Sequence, residues 1–538
     1  MEISQTGTHA IDNQAPPLAP YNVFESDLPL REAVEREGGG WGVDRLRDTG
    51  ELAGSPDAIA HSERAERNEP ILRTHDRYGN RIDEVELDPS WHWCLRQAIE
   101  REIHSLPWRA VAQAPGGARR AAMPSSQPGG HAVRAALFFL WSQVNSGVMC
   151  PVSMTYSAIP ALREEPDIAA EWEPRVTRAS YDDAALVGMA MTEKQGGSDV
   201  RANSTRAVQN GDAWEITGHK WFCSYPPCDL FLTLAQAPAG LSCFVIEGRD
   251  PGFRIQRLKD KLGTRSLPSS EVEFHGVRGQ LVGEEGRGIP TIIRMVNHTR
   301  LDCLIGSAAG MRWGVAQAVH HARHRSAFGK LLSDQPLMRN VLADLAIESE
   351  AATAVTMRVA RAYDEGDSSF RRIATAVMKH YVCKRAPGHA AEALECLGGN
   401  GYVEESGMPR LLRDSPLNSI WEGSGNVSAL DVLRALAREP EGLPALLAEC
   451  ELARGGNPAL DAHLDRIAAA RPEEPEFEAR SLVSDLAVAL QASLLVRHGR
   501  AAVSDAFCAG RLGAVGRAYG TLPPGVDTEA ILARALPA

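Results

Sequence analysis

One carboxylate, Glu422, stands between a bulky apolar pair, Ile420-Trp421, and two glycines, Gly423 and Gly425, that flank Ser424. Glycine permits φ > 0 and lets backbone N–H groups approach a ligand closely. The Ile-Trp pair can keep water from the acid and raise its pKa, as burial does for any carboxylate. A poised base beside free backbone donors is what abstraction of a proton next to a carbonyl requires. A Glu-Gly pair describes a surface turn equally well, so the reading depends on what accompanies it.

Four other stretches carry groups suited to holding a ligand. Met191-Thr192-Glu193-Lys194-Gln195-Gly196-Gly197-Ser198-Asp199 offers two hydroxyls and the exposed N–H groups of a glycine loop, which suit a polar ring edge or a phosphate and also make an ordinary turn. Gly218-His219-Lys220-Trp221-Phe222-Cys223-Ser224 puts two aromatics near a hydroxyl; such a pair can wall a flat ring or fill a core. In Arg325-Ser326-Ala327-Phe328-Gly329-Lys330, with Gln335 beyond, arginine suits a pyrophosphate and Phe328 can stack on adenine. The same residues describe a helix C-terminus with Gly329 at C′. Leu397-Gly398-Gly399-Asn400-Gly401-Tyr402 is a glycine-rich break shortly before Glu422.

The elements that must position these stretches come in a distinctive order. Residues 1–60, rich in Pro, Gly, Asp and Glu, are expected to wrap the surface. From Pro89, Trp91, Leu95, Ile99 and Ile103 recur at helical spacing. A Gly/Pro-rich break at 114–130, whose Arg119-Arg120 pair reads as solvated loop, leads to a nearly all-apolar and therefore buried helix over Ala132–Trp141. Short apolar runs separated by Gly, Pro and Asp predict a compact β domain over 182–283. No βαβ alternation or Gly-x-Gly-x-x-Gly opens a helix there, which disfavours a dinucleotide-binding Rossmann unit. Thr291–Phe328, Met338–Glu365 and Phe370–Leu397, with a kink at Pro387-Gly388, join the helix after Asn426 in a four-helix bundle. The domain reading is therefore 1–181, 182–283, 284–440 and 441–538, mainly α with a central β domain and a C-terminal helical extension.

Composition narrows the class. A chain of 538 residues, 44% hydrophobic and 23% charged, fills three or four globular domains. Net charge −12 argues against a surface coated for nucleic acid. The ten cysteines form no Cys-x-x-Cys pair, and Cys223, Cys228 and His219 lack a fourth ligand, so free thiols are expected and no metal. No apolar run reaches about 18 residues and the N-terminus is polar, so a cytoplasmic protein without a membrane anchor is expected.

Together, in this order and context, the stretches resemble the acyl-CoA dehydrogenase family, and within it the alkylation-response (AidB-type) branch. The match runs from about Trp108 to Leu436, through Met191–Val200, Gly218–Ser224, Arg257–Gly263 and Asn418–Asn426, and Arg36-Glu37-Gly38-Gly39-Gly40-Trp41 is similar too. The resemblance implies an acyl-CoA dehydrogenase-like fold, with a barrel-like β domain and FAD held between it and the bundle. Met191, Thr192, Gly197 and Ser198 would meet the flavin, with Phe222 and Ser224 walling it. Arg325, Phe328, Gln335 and the Gly399 loop would reach the FAD of a neighbouring subunit in a homotetramer, and Ser424 and Asn426 the adenosine part. Glu422 would be the catalytic base. Relatives that place the base on a bundle helix have it where this chain has Thr299, which cannot serve.

The implied reaction is anti elimination on an acyl-CoA thioester: Glu422 takes the α-proton as hydride leaves Cβ for flavin N5, and electrons pass to a flavoprotein or to oxygen. Two features depart from the pattern. Phe222 stands where the family often has tryptophan, with Trp221 one place earlier. The AidB-type branch is associated with DNA binding through its C-terminal end, yet residues 431–538 hold no lysine and 11 arginines against 15 acidic residues, a net of −4. Arg497, Arg500, Arg511 and Arg517 could cluster on phosphate or line a solvated face. The alternative reading is a DNA-associated flavoprotein with a largely idle dehydrogenase site.

Overall fold

Helices, a small barrel, a bundle of long helices and a last group of short ones follow one another along the chain. The computed structural model describes residues 12–109, 128–366, 368–471, 473–512 and 525–536. Arg119, Arg120 and Arg517 lie outside the described residues.

Asp27 accepts from the Leu30 N–H to cap α1 (Leu28–Arg36), α2 (Val43–Ala53) follows, and Ser55 caps α3 (Pro56–Arg67). Val23, Phe24, Leu30, Val34 and Leu46 are buried among them. This corrects the expectation that residues 1–60 merely wrap the surface. Among the glycines here, Gly38 makes a turn at φ +82, while Gly42 packs closely, where a Cβ would come within 2.6 Å of Val133. A hairpin that the sequence reading missed, β1 (Ile71–His75) with β2 (Arg81–Glu86), carries charge on both faces and so lacks alternation. Then come α4 (Pro89–Glu100), α5 (Gly130–Ser142), α6 (Met149–Leu162) and α7 (Pro166–Val176). Residues 130–141 of α5 are all buried, as its apolar sequence predicts. Arg134 is tolerated there because both its terminal nitrogens meet the Asp302 carboxylate.

The β domain holds β3 (Val187–Ala190), β4 (Arg206–Asn210), β5 (Ala213–Ser224), β6 (Leu230–Ala237), β7 (Gly240–Glu247), β8 (Phe253–Leu258) and β9 (Ser269–Leu281). β6, β4, β5, β9 and β7 pair in sequence and β7 returns to β6, closing a ring, with β3 on β6 and β8 on β9. Closure leaves free edges only on β3 and β8 within this sheet, and the pairing of β5 with β9 is irregular between Lys220 and Cys223.

The bundle comprises α8 (Gly288–His324), α9 (Pro336–Glu365), α10 (Ser368–Glu395) and α12 (Gly425–Arg438), with the short hairpin β10 (Ser326–Ala327) and β11 (Lys330–Leu331) and the short helix α11 (Met408–Asp414) between them. α10 contains Pro387 and runs on to Glu395.

The C-terminal helices are α13 (Gly442–Glu451), α14 (Pro458–Ala469), α15 (Pro475–His498), α16 (Ala501–Arg511) and α17 (Thr528–Ala535). α15 is long and apolar enough to cross a membrane by length and composition, but 67% of its most apolar stretch is buried inside the protein. That is how the core helix of a helical domain behaves. Arginines tie this region inward: Arg511 pairs with Asp344 and Glu348 of α9, Arg497 with Glu449, and Arg534 with Glu350 and Glu32.

Candidate active site

Glu422 lies in the short segment between α11 and α12, in the left-handed region at φ +57, followed by Gly423 at +103. A non-glycine residue keeps such a conformation when its surroundings impose it. Here three backbone carbonyls are captured by cations from two bundle helices. Arg300 of α8 donates its Nε–H to the Glu422 carbonyl at 2.9 Å, and Lys379 of α10 donates to the carbonyls of Trp421, at 2.8 Å, and Gly423. Arg300 is itself fixed by Asp431 of α12, 2.6 Å away, which also accepts from Arg372. The Trp421 indole donates to Asn418, and Asn418 donates to Ser307 of α8.

The side chain is left out of these tethers. Glu422 Oε2 is shielded from solvent and has no hydrogen-bond partner among the described residues. Burial raises the carboxyl above the ordinary glutamate value, while the Thr299 hydroxyl, Arg300 and Lys379 oppose the rise. Thr299, the alternative base position, therefore abuts Glu422.

Across from it stands one face of β5. Phe222 and Ser224, two residues apart, share that face, while Cys223 points into the barrel core. The Cys150 thiol of α6, pushed up to about 12 by burial, has Ser224, Lys261 and Glu422 as its polar neighbours and so links the two sides. Lys259 covers Trp221 and Phe222, its Nζ 3.6 and 4.4 Å from the ring centroids.

The Met191–Ser198 loop is stitched to the same strand: the Trp221 N–H donates to the Thr192 carbonyl at 2.8 Å, and Asn203 to that of Met191. Gly197 packs closely on Thr192: a Cβ there would lie 2.4 Å from Thr192 Oγ1. Under the loop, Glu193 and Lys220 form a fully buried ion pair at 3.0 Å. Burial favours neutral Glu193, but Lys220 and bonds from Ser204 and Thr205 hold it down to about 2. Burial pulls Lys220 down to about 8 against the same attraction.

Met191, Thr192 and Gly197 are thus joined to the strand that carries Phe222 and Ser224, and Ser224 and Glu422 are both neighbours of Cys150. Ser424 and Asn426 open α12 directly after Glu422. Arg325, Phe328, Gln335 and Gly399 do not join them. Some 26 residues of α8 separate Thr299 from Arg325, a rise of roughly 39 Å. At that far corner Phe328 is wholly exposed at the tip of the β10–β11 hairpin, and Gln335 donates to the Ala327 carbonyl. The N-terminal segment lies across it, with Asn13 on Arg325 and Ser326 and Gln14 on Asn400.

Sequence reasoning passed over the residues that hold the site. Arg300 and Lys379 lie in long helices with no local motif, and only the fold brings them to Glu422. Glu193 and Lys220 stood inside recognised stretches, but 27 positions apart, and their pairing needs the barrel.

Three family models match the chain: the adaptive response protein AidB N-terminal domain over residues 13–183, the acyl-CoA dehydrogenase middle domain over 188–277, and the acyl-CoA dehydrogenase C-terminal domain over 286–437. The chain is 38% identical to AidB of Escherichia coli K12 over 522 residues, covering 93% of this chain and 94% of that one. The crystal structure of Caenorhabditis elegans ACDH-11 in complex with C11-CoA is 26% identical and superposes with a TM-score of 0.84, over 96% of this chain and 95% of that one. Butyryl-CoA dehydrogenase from Megasphaera elsdenii, 20% identical, shares the fold with a TM-score of 0.59 over 79% of this chain and 100% of its own.

Proposed function

The chain belongs to the acyl-CoA dehydrogenase family, in its AidB branch, and on that premise we propose that it is an FAD-dependent oxidoreductase in which Glu422 removes the α-proton of an acyl-CoA thioester. The observation that carries the reading is the Glu422 carboxyl group. One oxygen is unpartnered and shielded from solvent, while the backbone on both sides is clamped. A base so held is aimed without being neutralised, and its raised pKa strengthens it toward a carbon acid.

The residues opposite suit a flat ring. Phe222 offers a half-exposed aromatic face, Ser224 a hydroxyl two residues on, and the Thr192–Ser198 loop further hydroxyls and N–H groups. When bound there, FAD supplies the hydride acceptor that the protein's own groups lack. The protein orients the α-proton toward Glu422 and excludes water through Trp421. The Glu422 N–H is the chain's own donor for the charge that develops on the thioester oxygen.

Arg325, Phe328 and Gln335, at and beyond the far end of α8, and the Gly399 loop are assigned to the FAD of a neighbouring subunit, which makes a homo-oligomer, a tetramer in this proposal, part of the holoenzyme. A flavoprotein or oxygen would take up the electrons. The DNA-associated reading finds no support in Arg497 and Arg511. Arg511 and Arg497 are engaged with Asp344, Glu348 and Glu449, and Arg500 alone of the three is largely exposed.

The experiment is an anaerobic visible spectrum of the yellow holoprotein during addition of short, long and branched acyl-CoAs. Bleaching of the flavin band is expected. Flavin that no acyl-CoA bleaches would refute the substrate class, and a protein unable to take up FAD would refute the cofactor.

A further inference from the structure

Residues 12–20 form no helix or strand, yet they are fastened at both ends. Behind them the Tyr21 N–H donates to the Gly54 carbonyl at 3.3 Å and the Val23 N–H to that of Gly50 at 3.0 Å, so the segment starts from α2. Pro16, Pro17 and Pro20 narrow the conformations open to it, which lowers the entropy cost of holding it across the surface. At its other end it meets the corner where α8 gives way to the β10–β11 hairpin. His320 of α8 donates its Nε2–H to the Pro16 carbonyl at 2.8 Å, and Asn400 of the short helical turn Gly398–Tyr402 donates to the Gln14 side chain at 3.3 Å.

Asn13 is the centre of this contact. The β10–β11 hairpin turns through Phe328-Gly329, both at positive φ, and pairs only Ser326 with Leu331 and Ala327 with Lys330. So short a hairpin is marginal alone. One side chain completes its outer edge: the Asn13 carboxamide accepts from the Ser326 N–H at 2.6 Å and donates to the Ser326 carbonyl at 2.9 Å, as a third strand would. Asn13 lies at φ +51, where asparagine is tolerated better than other residues that carry a Cβ. In that conformation its own carbonyl accepts from Arg325 Nη1. A guanidinium has five N–H donors, so Arg325 is oriented with donors to spare for an anion, beside the wholly exposed ring of Phe328.

We propose that Asn13 is a positioning residue for the cofactor, and that the strap of residues 13–16 sets Arg325 and the Asn400 turn together to address the diphosphate and adenosine of an FAD held by a neighbouring subunit. The inference rests on the assignment of Arg325, Phe328, Gln335 and Gly399 to that FAD, and adds a residue outside every stretch that carried it. The strap joins the hairpin to the Gly399 turn, the two stretches assigned to that cofactor, and spends the Asn13 carbonyl on the arginine suited to a diphosphate. A loose arginine loses rotamer freedom when it binds an anion, whereas one held in advance has already lost it.

The test is a double-mutant cycle on FAD affinity. Wild type, Asn13→Ala, Arg325→Ala and the double variant are diluted as holoenzymes, and the FAD released is read by its fluorescence. Asn13→Ala loses both bonds to Ser326 and disfavours positive φ. It is expected to raise the FAD dissociation constant about tenfold, the scale of one hydrogen bond to a charged group. Asn13→Gly, which keeps φ > 0 accessible and loses only the carboxamide, is expected to fall between it and the wild type. Asn13 is exposed, so these changes spare the core. Arg325→Ala is expected to weaken FAD at least as much as Asn13→Ala does, and adding Asn13→Ala to it to change the constant less than about twofold. Weakening by the same factor in both backgrounds would show Asn13 acting without Arg325 and overturn the inference. A loss of affinity in Arg325→Ala that neither Asn13 variant shares would overturn it too, and leave the assignment of Arg325 to FAD standing. FAD affinity unchanged by Arg325→Ala would overturn that assignment and this inference with it.

Discussion

Arg300 donates its Nε–H to the carbonyl oxygen of Glu422 at 2.9 Å, so the acid is held by its backbone and its carboxyl group stays outside the tether. Lys379 repeats the arrangement on the carbonyls either side. Cations that paired with the carboxylate directly would lower its pKa and weaken it as a base. Bound to the carbonyls instead, they impose the left-handed backbone, and burial still raises the carboxyl above its ordinary value.

Glu422→Gln keeps the shape and removes the basicity. Flavin reduction by any acyl-CoA that bleaches the wild type should slow by about 10²–10⁴-fold, the usual contribution of a general base. Flavin content should be unchanged, because the tethers run through the backbone. Rapid mixing under anaerobic conditions measures it, and wild-type reduction rates in the variant would remove Glu422 from the chemistry.

The raised pKa has two readable consequences. A base must be deprotonated, so the reduction rate should rise with pH through a midpoint above the ordinary value of 4.5. Thr299→Val removes a group that holds the carboxyl down and should move the midpoint upward. For stability the sign is opposite. The folded pKa exceeds the unfolded one, so the folded state is favoured most below the unfolded value and loses stability as pH rises through the folded pKa. Glu422→Gln should therefore melt at or above the wild-type temperature near neutral pH, and a lower Tm there would contradict the burial argument.

How much of this was legible beforehand followed the range of the interactions. The proline-free length of α8, the helical repeat of α9 and the short apolar runs of the barrel are local, and their order led to the fold. Glu422 between Trp421 and Gly423 was also local. Arg300 and Lys379 lie 122 and at most 44 positions from the carbonyls they bind, and nothing in their own helices distinguishes them from solvated cations. Residues 1–60 misled because a turn, as at Gly38, and a close helix contact, as at Gly42, need the same residue for different reasons. Arg134 escaped because its partner, Asp302, lies 168 positions away.

Lys379→Met should unfasten the Glu422 segment. Two buried carbonyls lose their donor, at about 1–3 kcal/mol each. A Tm loss should accompany slower flavin reduction, because the carboxyl loses its aim. Thermal melts and single-turnover reduction on one preparation check both, and a stable variant with wild-type rates would make the clamp redundant.

The Glu193–Lys220 pair should behave as a support for the flavin-side loop. Glu193→Gln strands a buried ammonium and should cost about 3–5 kcal/mol, whereas Glu193→Leu with Lys220→Met, which strands neither charge, should recover much of it. Urea unfolding of the two variants beside the wild type measures the pattern. FAD retention should fall with the single change, because Glu193 holds Ser204 and Thr205 beneath the Thr192 loop.

Arg511 distinguishes an internal tie from a phosphate contact. Its guanidinium lies 2.6 Å from Asp344 and 2.8 Å from Glu348, with the side chain about one-tenth exposed, and it fastens α16 to α9. Breaking so buried a pair should cost about 3 kcal/mol, seen as an early unfolding transition of the C-terminal helices in Arg511→Ala. Arg497→Ala, which loses Glu449 at 2.6 Å, should be milder because that side chain is 22% exposed. Neither change should alter retention of duplex DNA at low ionic strength. A phosphate contact gives the reverse signature: affinity falls, the dependence of binding on salt flattens by about one ion per arginine removed, and stability is untouched. Fluorescence anisotropy with labelled duplex across a salt series, beside thermal melts of the same variants, separates the two. Loss of DNA affinity with unchanged melting would return these arginines to the surface and restore the DNA-associated reading.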